Sequence, residues 1–170
     1  MTKAFHLSVK TPEEMKGLGV LIGRHLKEGS VVGLIGPLGA GKTTMAGGIA
    51  EGLGISEGYV VSSPTYTIMQ IYPCSGLELY HLDLYRISGM DDLDSTGYRD
   101  ASGKGKVLVV EWPDREPAVL PDENLQIWIR YSDNERMVSM VSIGTMHDQI
   151  LQEIVESRAL TFLPGFVDSE

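Results

Sequence analysis

The feature that most constrains the fold of this chain is a glycine-rich stretch, GPLGAGKTT, at residues 36–44. It matches the pattern GxxxxGK followed by Ser or Thr, and a continuous apolar run, VVGLI at 31–35, leads into it. Such a run is typical of a strand covered on both faces in a parallel sheet, and residues 43–53 are predicted to be helical. A strand, a glycine-rich loop and a helix in this order predict a phosphate-binding P-loop in an α/β domain.

Each position of this loop has a physical reason. The glycines permit backbone angles and close approaches that a Cβ atom would block, so that successive N–H groups can point at phosphate oxygens. The positive end of the following helix adds to this attraction. Lys42 is expected to bridge the β- and γ-phosphates, and the Thr43 hydroxyl to bind Mg²⁺. The predicted nucleotide-binding residues are Gly36, Leu38, Gly39, Ala40, Gly41, Lys42, Thr43 and Thr44.

A P-loop also needs a carboxylate that holds magnesium directly or through water, usually at the end of a neighbouring apolar strand. The segment VLVVEW provides Glu111 in that position. The segment HLDLYR provides another acid, because alternation places His81, Asp83 and Tyr85 on one face of an extended chain. Taken alone, this pattern is typical of a half-exposed strand. Next to a nucleotide, Asp83 could order the attacking water or complete the magnesium shell, with His81 as a hydrogen-bonding support of the strand.

A polar loop, SSPTYT at residues 62–67, is a further candidate for nucleotide contact. A hydroxyl in this loop, such as that of Thr65, could sense the γ-phosphate as switch loops do. A plain proline turn is the alternative interpretation of the same residues.

The rest of the chain predicts alternating strands and helices. Thr11 and Pro12 predict the start of a helix that Gly29 ends. Two pairs of segments predict hairpins, and three other segments predict a first strand, a short helix and a terminal helix. The hairpin pairs are 66–72 with 77–85 and 125–131 with 137–143. The first strand is predicted at 5–9, the short helix at 90–97 and the terminal helix at 147–159.

Composition excludes several classes of function. The chain has 170 residues, a formal net charge of −9 and scattered Lys and Arg, so no basic stripe is available to bind DNA or RNA directly. The single cysteine, Cys74, cannot form an internal disulfide, and no apolar run is long enough to span a membrane. The expected location is the cytoplasm.

The segments GPLGAGKTT, SPTYT, HLDLYR and VEW, in this order, resemble the TsaE (YjeE) family of bacterial P-loop ATPases, which are required for making threonylcarbamoyladenosine (t6A) in tRNA. The resemblance covers about residues 5–145, and LDSTGYRD, VEWPD and LPDENLQI also fit it. Two features depart from the family pattern: Gly47 and Gly48 follow the P-loop, and the tail beyond residue 147 is longer.

The resemblance implies a fold and a domain organisation. The expected fold is α/β, a P-loop NTPase-like three-layer sandwich with a mixed central sheet, flanking helices and two antiparallel hairpins. Residues 1–146 would form the ATPase domain, and 147–170 a C-terminal helix and tail of the same domain.

The resemblance also implies a function. It implies a weak, Mg²⁺-dependent ATPase that acts with TsaB-like and TsaD-like partners, which would hold the tRNA. The implied catalytic residues are Lys42, Thr65, Asp83 and Glu111; the implied metal ligands are Thr43 and Glu111, with Asp83 as a further candidate; and Thr11 and Arg136 are placed near adenine. Which of Asp83 and Glu111 positions the water stays open.

Three alternatives remain. A small-molecule or nucleoside kinase would use Asp83 as a base, but such kinases usually carry an arginine-rich lid, and the arginines here are spread along the chain. They are Arg86, Arg99, Arg115, Arg130, Arg136 and Arg158. A GTP-binding switch would need an NKxD stretch, which is absent from the sequence. A nucleotide-sensing adaptor without hydrolysis is the third.

Overall fold

A seven-stranded mixed sheet forms the centre of the molecule in the computed structural model, which describes residues 2–157. The strands are β1 (Thr2–Val9), β2 (Val31–Ile35), β3 (Met69–Cys74), β4 (Leu77–Asp83), β5 (Lys106–Glu111), β6 (Asn124–Ser132) and β7 (Glu135–Ile143). Their order across the sheet is β1-β7-β6-β2-β5-β4-β3. The four central strands, β6, β2, β5 and β4, are parallel, and the antiparallel β3 and β7 flank them. The carboxyl ends of β2, β5 and β4 therefore lie side by side at one edge.

Four α-helices cover the sheet. They are α1 (Pro12–His25), α2 (Lys42–Gly52), α3 (Met90–Asp94) and α4 (Thr145–Glu156). The chain also forms three 3₁₀ turns, Tyr98–Asp100, Pro113–Arg115 and Pro117–Val119. The predicted start of α1 is confirmed, since the Thr11 hydroxyl accepts a hydrogen bond from the Glu14 N–H at 3.1 Å.

The two faces of the sheet have separate apolar cores. The larger core joins α1, α2 and α4 to one face and contains Leu18, Ile49, Leu34 and Ile150. The smaller core lies on the opposite face, where α3 and the 3₁₀ turns cover Leu82, Val110 and their neighbours. The three-layer α/β fold is thus confirmed, with one covering layer made mostly of short turns.

Helices α1 and α2 pack at very short distance because glycines face each other across their interface. A Cβ atom on Gly48 would lie 2.2 Å from the Lys16 carbonyl oxygen, and one on Gly19 would lie 2.4 Å from that of Met45. Gly23 and Gly52 make the equivalent close approach one turn further on. Gly48, the second glycine after the P-loop, lowers the helix propensity of α2, but the close packing of α1 against α2 requires it.

The first hairpin differs from its predicted bounds of 66–72 and 77–85, because the strands are Met69–Cys74 and Leu77–Asp83. Ile68 has a φ of 65°, and its N–H bonds the carbonyl of Pro64, so the chain turns before β3 begins. Pro73 lies within β3, which tolerates it because β3 is an edge strand. At the other end, the Asp83 carboxylate accepts the N–H of Tyr85 and turns the chain out of β4.

The terminal helix also differs from its predicted range of 147–159. It begins at Thr145 and ends at Glu156, and residues 158 and 159 lie outside the described residues. Its buried apolar side chains, Ile150, Leu151 and Ile154, belong to the larger core, and His147 is buried as well. None of the helices within residues 2–157 has both the length and the apolar character that a membrane span requires.

Candidate functional site

The P-loop lies where β2 ends and α2 begins, at the centre of the sheet edge. Gly39 and Gly41 have φ angles of 76° and 113°, which a residue with a Cβ atom adopts only under strain. A Cβ atom on Gly36 would lie 2.6 Å from the Ile129 carbonyl oxygen of β6. Within the described chain no side chain caps the start of α2. The first N–H groups of this helix are therefore available to an anion.

Lys42 folds back over the loop. Its Nζ donates hydrogen bonds to the carbonyl oxygens of Gly36 and Pro37, at 2.7 and 2.8 Å. The same Nζ lies 3.8 Å from the centre of the Trp112 ring, a cation–π contact. Burial lowers the pKa of Lys42, and nearby carboxylates, Glu111 first, oppose that shift. The ammonium is thus held at the loop by neutral groups that a phosphate could replace.

Glu111 ends β5 and faces the start of α2. Its two carboxylate oxygens each lie 3.0 Å from the Thr43 hydroxyl, which donates to them. His81 of the neighbouring strand β4 contacts the same carboxylate, with 2.8 Å between Nε2 and Oε1. Both Glu111 and His81 are buried.

Asp83 lies beside Glu111, because the two residues are direct partners in the β4–β5 register. Its Oδ2 accepts hydrogen bonds from the hydroxyls of Ser63 and Thr65, the latter at 3.3 Å. Its Oδ1 accepts the Tyr85 N–H at 2.8 Å. The half-exposed strand, which the pattern taken alone would indicate, is not what the structure shows, since His81 and Asp83 are both buried. The predicted SPTYT loop and HLDLYR strand therefore meet at one carboxylate.

Apart from the buried His81, these side chains line one cleft of about 340 Å³. Its lining residues are Leu38, Gly39, Gly41, Lys42, Thr43, Thr44, Ser63, Thr65, Asp83, Tyr85, Glu111 and Trp112. Gly36 and the buried Ala40 support the loop from behind, and the Leu38 side chain is exposed.

A second pocket of about 270 Å³ shares Gly39, Gly41 and Thr44 with this cleft. It contains Thr11 and Arg136, the two residues that the resemblance placed near adenine. The two pockets therefore meet at the P-loop.

A magnesium ion fits the oxygen donors of the first cleft. Mg²⁺ prefers oxygen ligands and is usually held by one or two carboxylates together with nucleotide phosphates. The Thr43 hydroxyl and the Glu111 carboxylate already lie in contact, and Asp83 is next to them. Within residues 2–157 no three His, Cys, Asp or Glu side chains converge on one metal site. The residues present therefore suit an ion that phosphates and water help to hold.

Two contributors to the site were not predicted as functional. Trp112 directly follows Glu111, and its ring lies 3.8 Å from the Lys42 ammonium. Tyr131, at the end of β6, donates a hydrogen bond from its hydroxyl to the Leu38 carbonyl at 2.9 Å. The position of Trp112 directly after Glu111 was a signal in the sequence, whereas Tyr131 carried none.

Comparison with known proteins decides the family. The sequence model described as "Threonylcarbamoyl adenosine biosynthesis protein TsaE" matches residues 9–138, which include the P-loop, the SPTYT loop, HLDLYR and VEW. The chain belongs to the TsaE family. Its family therefore places it in t6A biosynthesis, and the predicted family resemblance is confirmed.

Curated TsaE relatives support the same assignment along most of the chain. The tRNA threonylcarbamoyladenosine biosynthesis protein TsaE of Bacillus subtilis is 41% identical over 145 residues, which are 84% of this chain and 89% of the relative. The TsaE protein of Treponema pallidum is 39% identical over 123 residues, or 72% of this chain and 89% of the relative.

The TsaE fold is supported by a solved structure as well. The crystal structure of YdiB from Bacillus subtilis has a TM-score of 0.75 and 37% sequence identity to this chain. The match covers 91% of this chain and 96% of the YdiB chain.

Proposed function

We propose that this chain is a weak, Mg²⁺-dependent ATPase subunit required for t6A modification of tRNA, acting on a complex of TsaB-like and TsaD-like proteins. The observation that carries the proposal is the convergence of Lys42, Thr43 and Glu111 at the uncapped start of α2. An ammonium, a hydroxyl and a carboxylate in this setting match what binding of a nucleotide with magnesium requires.

The binding step would use the P-loop. Backbone N–H groups of residues 39–44 and the start of α2 would hold the phosphates. Lys42 would exchange the carbonyl oxygens of Gly36 and Pro37 for phosphate oxygens. Thr11 and Arg136 would line the nucleoside side.

Two carboxylates would then serve hydrolysis. Thr43 and Glu111 would hold Mg²⁺, which neutralises charge that develops on the transferred phosphoryl group. Asp83 would orient the attacking water or accept its proton, because it lies beside Glu111 at the mouth of the cleft. Ser63 and Thr65 donate to Asp83 in this structure, so a loop that leaves Asp83 when the γ-phosphate is present would couple nucleotide state to loop shape.

The partners are proposed from the family and from charge. With a net charge of −9 and no basic stripe, this chain is a poor direct binder of tRNA. A TsaD-like partner that holds the tRNA removes that difficulty, and this chain would contribute ATP hydrolysis rather than group transfer.

The test is ATP binding and hydrolysis in the presence of TsaB-like and TsaD-like proteins. Lys42→Ala should weaken ATP binding about 100-fold, since it removes charge-assisted bonds to phosphate. Asp83→Ala and Glu111→Ala should lower turnover about 100-fold or more and change ATP binding much less.

Matched controls lie at the opposite edge of the sheet. Lys104→Ala and Asp122→Ala remove exposed charges before β5 and β6, and both variants should retain wild-type activity. Unchanged activity in the three site variants would contradict the ATPase proposal. ADP release that requires an added small-molecule acceptor would instead indicate a kinase.

A further inference from the structure

We infer that His81 is a positioning residue that fixes the Glu111 carboxylate in its metal-binding orientation; the inference rests on the proposed Mg²⁺-dependent function. His81 is fully buried on β4, and its Nε2 lies 2.8 Å from Glu111 Oε1. An ionised carboxylate only accepts hydrogen bonds, so the proton of this bond is on Nε2.

Two hydrogen-bond donors hold the Glu111 carboxylate, Thr43 from the cleft and His81 from the neighbouring strand. The Thr43 hydroxyl contacts both carboxylate oxygens from the cleft, at 3.0 Å each. When Thr43 turns to a metal ion, that hydroxyl is no longer available to orient the carboxylate. The His81 bond comes from the interior of the sheet and does not compete with the ion. A glutamate side chain has three rotatable torsions, and the His81 bond fixes the carboxylate end of this one.

The rest of the His81 environment argues against a purely structural role. Its other ring nitrogen, Nδ1, is buried and has no hydrogen-bond partner in the part of the chain that the structure describes. Leu79 and Val109, its neighbours on the same face of the sheet, are apolar and fully buried. An unsatisfied buried nitrogen disfavours the folded state, and an apolar side chain would avoid it. What the histidine adds at this position is its bond to Glu111.

Asp83 provides the contrast that separates the two acids. Within residues 2–157, the hydrogen-bond donors of its carboxylate belong to loop segments at the cleft, namely Ser63, Thr65 and the Tyr85 N–H. Glu111 has a donor inside the sheet, whereas the donors of Asp83 can be exchanged as loops rearrange. This difference assigns Glu111 to the ion and leaves Asp83 for the water.

The test compares three substitutions of His81 in the full chain. His81→Leu removes the donor, His81→Gln places an amide nitrogen near the Nε2 position, and His81→Asn places one near Nδ1 instead. Binding of a fluorescent, non-hydrolysable ATP analogue is titrated with Mg²⁺ and repeated in its absence. The electron paramagnetic resonance of Mn²⁺ bound with the same nucleotide reports the ion directly.

The expected result is a selective defect in ion binding. His81→Leu and His81→Asn should raise the Mg²⁺ concentration for half-saturation about tenfold, whereas His81→Gln should stay within about threefold of wild type. Nucleotide affinity without Mg²⁺ should be unchanged in all three variants. His25→Gln, a change at the end of α1 in a half-buried histidine, serves as the control.

Several results would overturn the inference. One is an equal Mg²⁺ requirement in His81→Gln and His81→Asn, a comparison that holds even where the leucine variant fails to fold. Another is a loss of nucleotide affinity that is the same with and without Mg²⁺. If wild-type protein binds the analogue without any dependence on Mg²⁺, the proposed function fails together with the inference. If wild-type binding depends on Mg²⁺ and the His81 variants have the same Mg²⁺ requirement as wild type, the inference alone fails.

Discussion

Tyr131 connects the two pockets of the site through a single side chain. Its hydroxyl bonds the Leu38 carbonyl at the tip of the P-loop, and the Arg136 guanidinium lies 4.1 Å from the centre of its ring. Arg136 lines the pocket proposed for the nucleoside, together with Gly39 and Gly41 of the loop. Tyr131 therefore orients the loop tip and supports a candidate adenine contact at once.

Tyr131→Phe should weaken ATP binding about threefold to tenfold, because the loop tip loses the hydrogen bond that fixes it. The effect on stability should be small, about 0.5 kcal/mol, since half of the side chain is exposed and water can replace the bond. Isothermal titration with ATP and urea unfolding measure the two quantities. Tyr98→Phe, which removes a hydroxyl on the opposite face of the sheet, should leave ATP affinity unchanged; equal losses in both variants would contradict the assigned role.

The site could be predicted from sequence only where short-range pattern determines position. Lys42 and Thr43 follow from their places in the P-loop, Glu111 from the end of an apolar strand, and Asp83 from the alternating segment HLDLYR. Their roles remain predictions, but the structure does bring them together. The contact between Trp112 and Lys42 could not be predicted, because it depends on a φ of 58° at Trp112 and on the pairing of β5 with β2.

The packing of α1 against α2 gives the glycines after the P-loop opposite roles. Gly48 faces α1, where a Cβ atom would lie 2.2 Å from the Lys16 carbonyl oxygen. Gly47 faces outward, and the nearest atom to its added Cβ would be Val61 Cβ at 4.0 Å. Backbone atoms cannot move away as a flexible side chain can, so only one of these adjacent glycines is required by the fold.

Gly48→Ala should destabilise the protein by about 2–4 kcal/mol, because the methyl group pushes two helices apart. Gly47→Ala should instead stabilise it by about 0.5–1 kcal/mol, through helix propensity and lower entropy of the unfolded chain. The free energy of unfolding in urea checks both values. Similar effects of the two substitutions would show that the interface is looser than these distances indicate.

At the scale of elements, patterns predicted existence and type better than bounds. The apolar run at 31–35 gave β2 and the capped start at Thr11 gave the start of α1, since each signal is local, whereas α1 ends at His25, before the predicted stop at Gly29. The bounds of the first hairpin were predicted wrongly, because one depends on a side-chain hydrogen bond and another on a backbone turn. The Asp83 carboxylate and the positive φ of Ile68 set where β4 ends and β3 begins, and neither is visible in an alternating pattern.

A hydrogen bond of His147 connects α4, the last described helix, to the central strand β2. The Val31 N–H, at the start of β2, donates a hydrogen bond to His147 Nε2 at 3.1 Å. This strand leads directly into the P-loop, so α4 supports the strand on which the site is built. Because Nε2 accepts this bond, Nδ1 carries the proton, and protonation of Nε2 would break the bond and bury a charge.

The stability of the whole fold should therefore fall as pH falls below about 6.5. Burial lowers the pKa of His147 from its ordinary value of 6.5, and the carboxylates of Glu123 and Asp148 oppose the shift only in part. Well above pH 6.5 the histidine is neutral in both states and contributes no pH dependence. Below it the unfolded chain binds a proton that the folded chain resists, so folding loses up to about 1.4 kcal/mol per pH unit.

His147→Gln isolates this contribution, because the glutamine oxygen can accept the Val31 N–H and does not titrate. The free energy of unfolding is measured in urea at pH 7.5, 6.5 and 5.5 for both proteins. Carboxylates and the other histidines contribute nearly equally to the two curves, so the difference between the curves reports His147. Wild type should lose about 1 kcal/mol more than the variant between pH 7.5 and 5.5. Parallel curves would mean that His147 accepts its proton within the fold, and that α4 does not depend on a neutral imidazole at β2.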